Sequence, residues 1–326
     1  MAAPNETASA IKFHDFGPPE ESFRDAVLNG LEMTPKSIPS KFIYDEEGSR
    51  LFDIIPTVPE YYQARTEKAL LTAHGLEIAA IVGPNSYVVD YGSGSSVKSR
   101  ILMDALTTPA AFVPLDISGD YLRTAAETFA ADYPDIAVHA VCADFLGSFE
   151  LPHIPTAAGG RRLGFFPGST IGNFTHSEAS GFMARARQML AGGALLIGVD
   201  LKKEVAVLEA AYNDAQGVSA AFNLNLLSRI NRELDGDIDV AAYRHHAVYR
   251  PEFGRVDIGI QSLRDQAFTV LGRRFEMRRN DVLHTQHANK YTIDEFRDFA
   301  VNAGFTVSRV WSDDDDLYAL FYLDAR

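Results

Sequence analysis

Five short apolar runs, separated by helical stretches, constrain the fold of this chain more strongly than any other feature. The runs cover residues 86–90, 111–116, 136–142, 163–166 and 194–200. Such alternation is typical of βα units whose strands form a parallel sheet buried on both faces. The sequence therefore predicts an α/β fold with a doubly wound, Rossmann-like sheet.

The pattern is interrupted after the fifth run and then resumes. Two helical stretches and a β-rich region fill the interruption, and a helix near 293–303 with strand-like runs at 306–311 and 317–323 follows it. A chain of 326 residues also favours two domains. The predicted extents are 66–202 with 291–326 for the sheet domain, 20–65 with 203–290 for a smaller α+β substrate-binding domain, and 1–19 for a flexible arm.

Charge and cysteine content limit the partners and the compartment. The formal net charge of −14 would repel a phosphate backbone. Cys142 lies in an apolar run, so we expect an inert buried thiol in a reducing compartment. The sequence has no signal-like start and no window with the roughly 18 apolar residues of a membrane span. These features favour a cytoplasmic protein that acts on a small molecule, without nucleic acid or membrane partners.

A glycine turn, Gly92-Ser93-Gly94, follows the first apolar run and precedes a helical stretch that begins near Val97. Glycines here let a ligand approach the backbone at a helix N-terminus, although an ordinary strand-to-helix turn is the alternative. A dinucleotide fingerprint needs a third glycine where Val97 stands, which disfavours a nicotinamide-dependent oxidoreductase. The acid Asp90 suits a cation, and S-adenosylmethionine carries a sulfonium and an ammonium but no phosphate.

Acids also end the next two runs. Asp116 stands where a carboxylate can accept from both ribose hydroxyls, and Asp144-Phe145 can accept from the adenine amine and pack on the base. Each acid alone could cap a helix, but ligands of open α/β sheets bind at the carboxyl ends of strands. The predicted cofactor is therefore S-adenosylmethionine. The closing strand pair then indicates a class I methyltransferase sheet, whose last strand runs antiparallel.

The fourth run ends in a glycine-rich turn, 166–174, which contains Gly168, Thr170 and Asn173. Its position at the sheet edge predicts that Asn173 lies beside the methyl group of the cofactor. A structural turn with a capping asparagine is the alternative. The nucleophile of methyl transfer must be a neutral amine, so we expect Asn173 to accept from the amine N–H and aim its lone pair. The sequence offers no dedicated strong base.

Five specific segments carry a resemblance that extends from about residue 35 to the end of the chain. They are 41–49 (KFIYDEEGS), 59–67 (PEYYQARTE), 92–98 (GSGSSVK), 168–173 (GSTIGN) and 212–223 (YNDAQGVSAAFN). In these segments the chain resembles the histidine-specific α-N-methyltransferases of ergothioneine biosynthesis, which form the betaine hercynine. The resemblance implies S-adenosylmethionine as methyl donor, S-adenosylhomocysteine as product, L-histidine as acceptor and a trimethyl betaine.

The resemblance also implies roles for individual residues. Those that would hold the cofactor are Tyr44, Gly92, Ser93, Gly94, Lys98, Asp116, Asp144 and Phe145. Those that would contact the acceptor are Tyr44, Phe52, Tyr61, Gly168, Thr170, Asn173, Tyr212, Ile258, Gln286 and Ala288. Tyr44, Asn173 and Tyr212 would fix the carboxylate and amine, and Tyr61 would reach toward the side chain. Two phenols and an amide can bind a carboxylate without formal charge, although a tyrosine taken alone is more often a packing residue of a core or an interface.

The chain departs from the family where the imidazole would be recognised. The family has a glutamate and, two positions on, a serine, whereas this chain has Gln286 and Ala288. Gln286 can accept from an imidazole N–H, but without charge assistance such a bond is about half as strong. Indole has a single N–H, so tryptophan or another aromatic amino acid is an alternative acceptor. His287 could also face the acceptor.

Three further expectations complete the sequence analysis. The adjacent pair His245-His246 is no metal site, because neighbouring strand residues point to opposite faces, and we expect no metal. We expect a monomer. A non-catalytic protein that only binds the adenosyl cofactor is the alternative from another functional class.

Overall fold

The computed structural model describes residues 11–17, 22–94, 96–147, 149–152, 154 and 160–325. The described chain divides into two compact units, each assembled from segments that are separate in sequence. Unit 1 contains the described residues of 1–19, 66–201 and 291–326, and unit 2 those of 20–65 and 202–290. The assignment of cofactor binding to the first and acceptor binding to the second remains a prediction.

The strands and helices follow in chain order. The strands are β1 (Lys12–Asp15), β2 (Tyr87–Tyr91), β3 (Ala111–Asp116), β4 (Ala137–Cys142), β5 (Arg162–Phe166), β6 (Ala194–Asp200), β7 (Tyr243–Arg250), β8 (Arg255–Ser262), β9 (Gln266–Val270), β10 (Arg273–Met277), β11 (Val282–Asn289), β12 (Thr306–Ser312) and β13 (Tyr318–Asp324). The helices are α1 (Phe23–Glu32), α2 (Glu46–Ile54), α3 (Tyr62–Val82), α4 (Val97–Ala105), α5 (Gly119–Asp132), α6 (His176–Met189), α7 (Val205–Tyr212), α8 (Val218–Glu233) and α9 (Ile293–Asn302).

Unit 1 is built on an eight-stranded sheet with the order β1-β4-β3-β2-β5-β6-β13-β12. The first six strands of this unit pair in parallel, and β13 pairs antiparallel with both β6 and β12. Every residue of β2, β6 and β13 is buried. Burial on both faces explains why these strands appear in the sequence as continuous apolar runs. The predicted α/β, Rossmann-like sheet with an antiparallel last strand is confirmed.

The expectation of a flexible arm over residues 1–19 is wrong for its middle. Lys12–Asp15 form β1, which pairs in parallel with residues 139–142 of β4 and extends the sheet by one strand. The ladder gives these backbone groups partners that a free arm would find only in water. Residues 1–10, 18 and 19 of the expected arm lie outside the described residues.

Unit 2 combines helices with two small antiparallel sheets, β11-β8-β7 and β10-β9. The apolar side chains of α8, including Phe222 and Leu226, pack with Ile260 and Leu283 of the larger sheet. The pairing of β11 with β8 shifts its register between His284 and Gln286, so Thr285 is an extra residue in a β-bulge. This bulge decides which side chains of β11 face the helices.

Helix starts follow from local sequence. Thr175 and Thr292 cap α6 and α9, and Glu178 and Glu295 return the bond to the backbone of the capping residue, which completes two capping boxes. Asp45 caps α2 by accepting from the Gly48 N–H at 2.8 Å. Among the helices described here, none is long and apolar enough to cross a membrane.

Candidate active site

The predicted cofactor residues of unit 1 lie at neighbouring carboxyl ends of parallel strands. The glycine turn follows β2, Asp116 ends β3, Asp144 follows β4, and the turn to Asn173 follows β5. Because β4, β3, β2 and β5 are consecutive in the sheet and all run in parallel, these ends meet at one edge. Asp116 and Asn173 are thus at the same edge, as the prediction requires.

The turn after β2 depends on its glycines. Gly92 and Gly94 have φ angles of 73° and 47°, in the left-handed region that favours glycine. Asp116 accepts hydrogen bonds from the backbone of Gly94, Ile117 and Ser118, and burial raises the pKa of its carboxyl despite these bonds. Ser93 is buried, and its hydroxyl lies 3.3 Å from that of Ser96. The β3 acid therefore helps to hold the neighbouring turn.

Asp90 is fully buried just before this turn. Its Oδ2 accepts from the Ser99 hydroxyl, whereas its Oδ1 has no hydrogen-bond partner among the described residues. Burial raises its pKa to about 7. A nearby positive ligand would favour the ionised carboxylate, because opposite charges attract strongly where water is excluded. An unpartnered buried carboxylate oxygen is therefore consistent with a cationic ligand at this edge.

Asp144 and Phe145 occupy the turn after β4. Asp144 accepts from the backbone N–H of Leu146 at 2.8 Å, so one of its oxygens caps its own turn. Phe145 packs edge-on against Tyr91 and Phe166, with ring centroids 6.5 and 5.7 Å away. A Cβ on Gly92 would stand 3.6 Å from the Phe145 ring. The phenyl ring predicted to pack on the adenine thus lies beside the glycine turn.

The turn after β5 carries Gly168, Thr170 and Asn173. Gly168 has a φ of 80°, and the Thr170 hydroxyl donates to the Pro167 carbonyl at 2.8 Å. Asn173 is exposed at the end of a short 3₁₀ turn, Thr170–Asn173. The Thr170–Pro167 hydrogen bond holds the start of this turn, and the side-chain amide of Asn173 lies at its exposed end. That arrangement lets Asn173 contact a ligand.

Lys98, predicted to hold the cofactor, lies on the first turn of α4. Its Nζ donates to Oε2 of the buried Glu67 on α3 at 2.5 Å. The same carboxylate accepts from the Gly168 N–H. Glu67 is a residue that the sequence analysis did not single out, because a glutamate in a helical pattern is ordinarily solvent-exposed.

In unit 2 the strand register groups four predicted acceptor residues. Gln286 stands opposite Ile258 and Ala288 opposite Val256, and directly opposed residues of an antiparallel pair share a face. Ile258 and Ala288 belong to one buried apolar cluster against which Tyr212 packs. Tyr212, Ile258, Gln286 and Ala288 are therefore on the same side of the sheet.

The bulge at Thr285 determines this grouping. Strand side chains alternate, so the extra residue turns Gln286 and Ala288 to the helix-covered face and leaves His287 opposite Asp257 on the other face. The alternative in which His287 faces the acceptor residues is therefore wrong. No bulge is visible in the sequence pattern around residue 285.

The predicted tyrosines form two aromatic groups in unit 2. Tyr44, which is 39 % exposed, packs edge-on against Phe52 and Phe222 with centroids 5.1 and 5.2 Å away. Tyr61 and Tyr212 pack edge-on at 6.3 Å. Phe52 and Tyr61 thus have packing roles beside any contact with an acceptor.

Two polar groups that the sequence analysis missed support Tyr212 and β11. The buried Lys290 donates to the Tyr212 hydroxyl at 2.8 Å, which places a positive charge beside a phenol predicted to bind a carboxylate. Asn223 donates to Nδ1 of His245 at 3.1 Å and accepts from the Thr285 hydroxyl at 2.8 Å. The spacing of Asn223 in α8 predicts only a helix position, so no local signal could have revealed this cluster.

His245 is neutral in this cluster. Its Nδ1 accepts from Asn223, so its Nε2 carries the proton and donates to the Tyr212 carbonyl at 2.8 Å. Burial lowers its pKa. His246 pairs with Gly259 and points to the opposite face, as predicted. Over the described residues, no group of histidine, cysteine or acidic side chains could hold a metal ion.

The family that matches this chain and three proteins similar to it are named as methyltransferases. Residues 23–325 match the protein family described as "Histidine-specific methyltransferase, SAM-dependent". Histidine N-alpha-methyltransferase of Mycolicibacterium smegmatis is 37 % identical over 90 % of this chain and 92 % of its own length. Histidine N-alpha-methyltransferase of Mycobacterium tuberculosis is 42 % identical over 74 % of this chain and 75 % of its own length. An L-tryptophan methyltransferase of Psilocybe serbica is 26 % identical over 93 % of both chains.

Proposed function

Since this chain belongs to the family of histidine-specific, S-adenosylmethionine-dependent methyltransferases, we propose that it methylates the α-amino group of free L-histidine. The product would be the trimethyl betaine, hercynine, formed in three successive transfers. The observation that carries this proposal is the edge of unit 1, where the glycine turn, Asp116 and the turn to Asn173 follow neighbouring parallel strands.

The residues of unit 1 fit an adenosyl sulfonium donor. Gly92 and Gly94 have left-handed backbone and no side chains, and the phenyl ring of Phe145 lies beside this turn. The buried Asp90, close to this turn, has one oxygen without a hydrogen-bond partner in the described part of the chain. Asp116, Asp144 and Lys98 supply the acceptor and donor groups for hydroxyls, an amine and a carboxylate. When bound, the donor supplies an electrophilic methyl group.

The protein's part in the reaction is orientation. In the first two transfers Asn173 accepts from the amine N–H and aims the nitrogen lone pair, while Tyr44 and Tyr212 donate to the acceptor carboxylate. The neutral dimethylated amine of the third transfer has no N–H, so the bound carboxylate alone orients it. The ammonium of Lys290, 2.8 Å from the Tyr212 oxygen, strengthens carboxylate binding by its positive potential. The amine loses its protons to solvent. Between transfers the anchored carboxylate keeps the acceptor in place while the amine rotates.

A screen of amino acids with the methyl donor tests the proposal. Purified protein, S-adenosylmethionine and each of the twenty amino acids are incubated separately, and the products are measured by mass spectrometry. We expect mono-, di- and trimethyl histidine in sequence. Accumulation of the monomethyl form alone would reject the betaine, and binding of S-adenosylhomocysteine without any methylated amino acid would identify a non-catalytic binding protein.

Tryptophan is the second candidate acceptor. Gln286 offers a neutral acceptor suited to one indole N–H, and Ala288 is 4 % exposed within the apolar cluster around Ile258. The screen shows which of the two is methylated, and initial rates at several acceptor concentrations then give the ratio of kcat/KM for histidine to that for tryptophan.

We propose further that the protein acts as a cytoplasmic monomer on this small molecule. The net charge of −14 disfavours nucleic acid, and the one cysteine of the chain, Cys142, is buried and suited to a reducing compartment.

A further inference from the structure

Glu67 is a buried carboxylate that links three elements of unit 1. It lies on α3 with 0 % of its area exposed. Its oxygens accept from Lys98 Nζ at 2.5 Å, from the Gly168 N–H at 2.9 and 3.0 Å, and from the Tyr318 hydroxyl at 2.9 Å. A carboxylate without water is tolerable only when paired and hydrogen-bonded in this way. Donors from α4, from the turn after β5 and from β13 therefore surround this single acid.

The surrounding backbone leaves space specifically for this carboxylate. A Cβ at Gly198 in β6 would stand 2.0 Å from Glu67 Oε1 and 2.4 Å from the Tyr318 hydroxyl, so only glycine fits there. A Cβ at Gly168 would stand 3.3 Å from Lys98 Nζ. The sheet therefore leaves room for the Glu67 side chain at Gly198, and the turn after β5 leaves room at Gly168 for the Lys98 ammonium that Glu67 binds.

We infer that Glu67 is a positioning residue that couples the cofactor side of unit 1 to its acceptor side. One Glu67 oxygen holds Lys98, on the helix that begins after the Gly92 turn, and both oxygens hold Gly168, which begins the turn to Asn173. A displacement of either turn changes the hydrogen bonds of the other through a single rigid side chain. The inference rests on the proposed roles of Lys98 and Asn173.

The isosteric change Glu67→Gln weakens the link to Lys98 more than the other two. In either orientation the amide keeps one acceptor oxygen, but it has no negative charge, so the charge-assisted bond to the Lys98 ammonium is lost even where the oxygen still faces it. The change therefore loosens Lys98 while it keeps the volume of the side chain. Tyr318→Phe is the matched control, because it removes a donor from the same carboxylate and leaves the Lys98 and Gly168 contacts in place.

The experiment measures cofactor binding and acceptor turnover for each variant. The temperature is one at which circular dichroism shows that every variant is folded. Calorimetry gives the Kd of S-adenosylhomocysteine, and steady-state kinetics at saturating donor give kcat and KM for histidine. For Glu67→Gln we expect at least a tenfold higher Kd, at least a tenfold lower kcat and at least a threefold higher histidine KM. For Tyr318→Phe we expect changes below threefold and only a lower unfolding temperature.

Failure of the role of Glu67 can be distinguished from failure of the proposed methyltransferase function. An unchanged Kd in Glu67→Gln, an unchanged histidine KM, or equal effects in Tyr318→Phe would each overturn the coupling role. If the wild type methylates no amino acid, the proposed function fails. The calorimetric comparison of the two variants still decides in that case whether Glu67 positions Lys98.

Discussion

Restoring the two polar groups that the family has in its imidazole site should convert this chain into a better histidine enzyme. The perturbation is the double substitution Gln286→Glu, Ala288→Ser. Because of the bulge at Thr285, both side chains leave β11 on the side of the sheet where Ile258 of β8 and Tyr212 of α7 lie. The new groups would therefore project to the side of the sheet on which the predicted acceptor residues stand.

The size of the effect follows from hydrogen-bond strengths. A carboxylate at 286 replaces a neutral bond of about 1 kcal/mol by a charge-assisted one of about 2 kcal/mol. A hydroxyl at 288 adds about 1 kcal/mol when an imidazole nitrogen partners it. The sum, about 2 kcal/mol, corresponds to roughly a 30-fold gain in kcat/KM for histidine. Without histidine, the hydroxyl is buried at a position that is 4 % exposed and costs about 1 kcal/mol of stability.

The assay compares kcat/KM for histidine and tryptophan in the wild type, both single variants and the double variant. His287→Gln is the matched control, since the neighbouring residue points to the other face of β11. A histidine gain below about threefold in the double variant, or an equal gain in the control, would refute the placement of Gln286 beside the imidazole.

Three further outcomes follow from the buried groups. Asn223→Ala removes three side-chain hydrogen bonds, to the Thr285 hydroxyl, to Nδ1 of His245 and to the Gly259 carbonyl, so urea denaturation should show a free energy of unfolding lower by about 3 kcal/mol; a loss below about 1 kcal/mol would contradict the role of this cluster. Asp90 keeps its proton in the folded state up to a pKa of about 7 but loses it near pH 4 when unfolded, so its contribution to stability is lost as pH rises through this window. Between about pH 5 and about pH 8, the free energy of unfolding measured in urea should change less with pH in Asp90→Asn than in the wild type. An equal pH dependence in the two proteins would exclude this titration. Burial raises the pKa of Cys142, so a thiol reagent at about pH 8 should react with it only after urea is added; rapid reaction of the native protein would contradict burial.

The sheet of unit 1 could be predicted because its strands leave a strong local signal. The runs at 111–116 and 194–200 coincide with β3 and β6, since strands buried on both faces must be apolar throughout. β1 was missed because it has four residues and only its middle two are half-buried. A strand that short carries no pattern, and its partner strand, not its sequence, stabilises it.

The candidate site was only partly predictable, for a related physical reason. Glycines and acids at strand ends can be read locally, as Gly92 and Asp116 were. Glu67 and Asn223 acquire their roles from partners far along the chain, 101 positions away at Gly168 and 62 at Thr285. Which face Gln286 occupies depends on one inserted residue, and the alternation of side chains cannot show it.

The position of β13 in the sheet has a consequence for synthesis of the chain. β13 pairs with β6, yet residues 201–317 are translated between them. At about 5–20 residues per second, the open side of β6 waits roughly 6 to 23 s for its neighbour. Unpaired apolar strand edges are where nascent chains associate wrongly, so the yield of folded protein should depend on elongation rate and on chaperones that cover this edge.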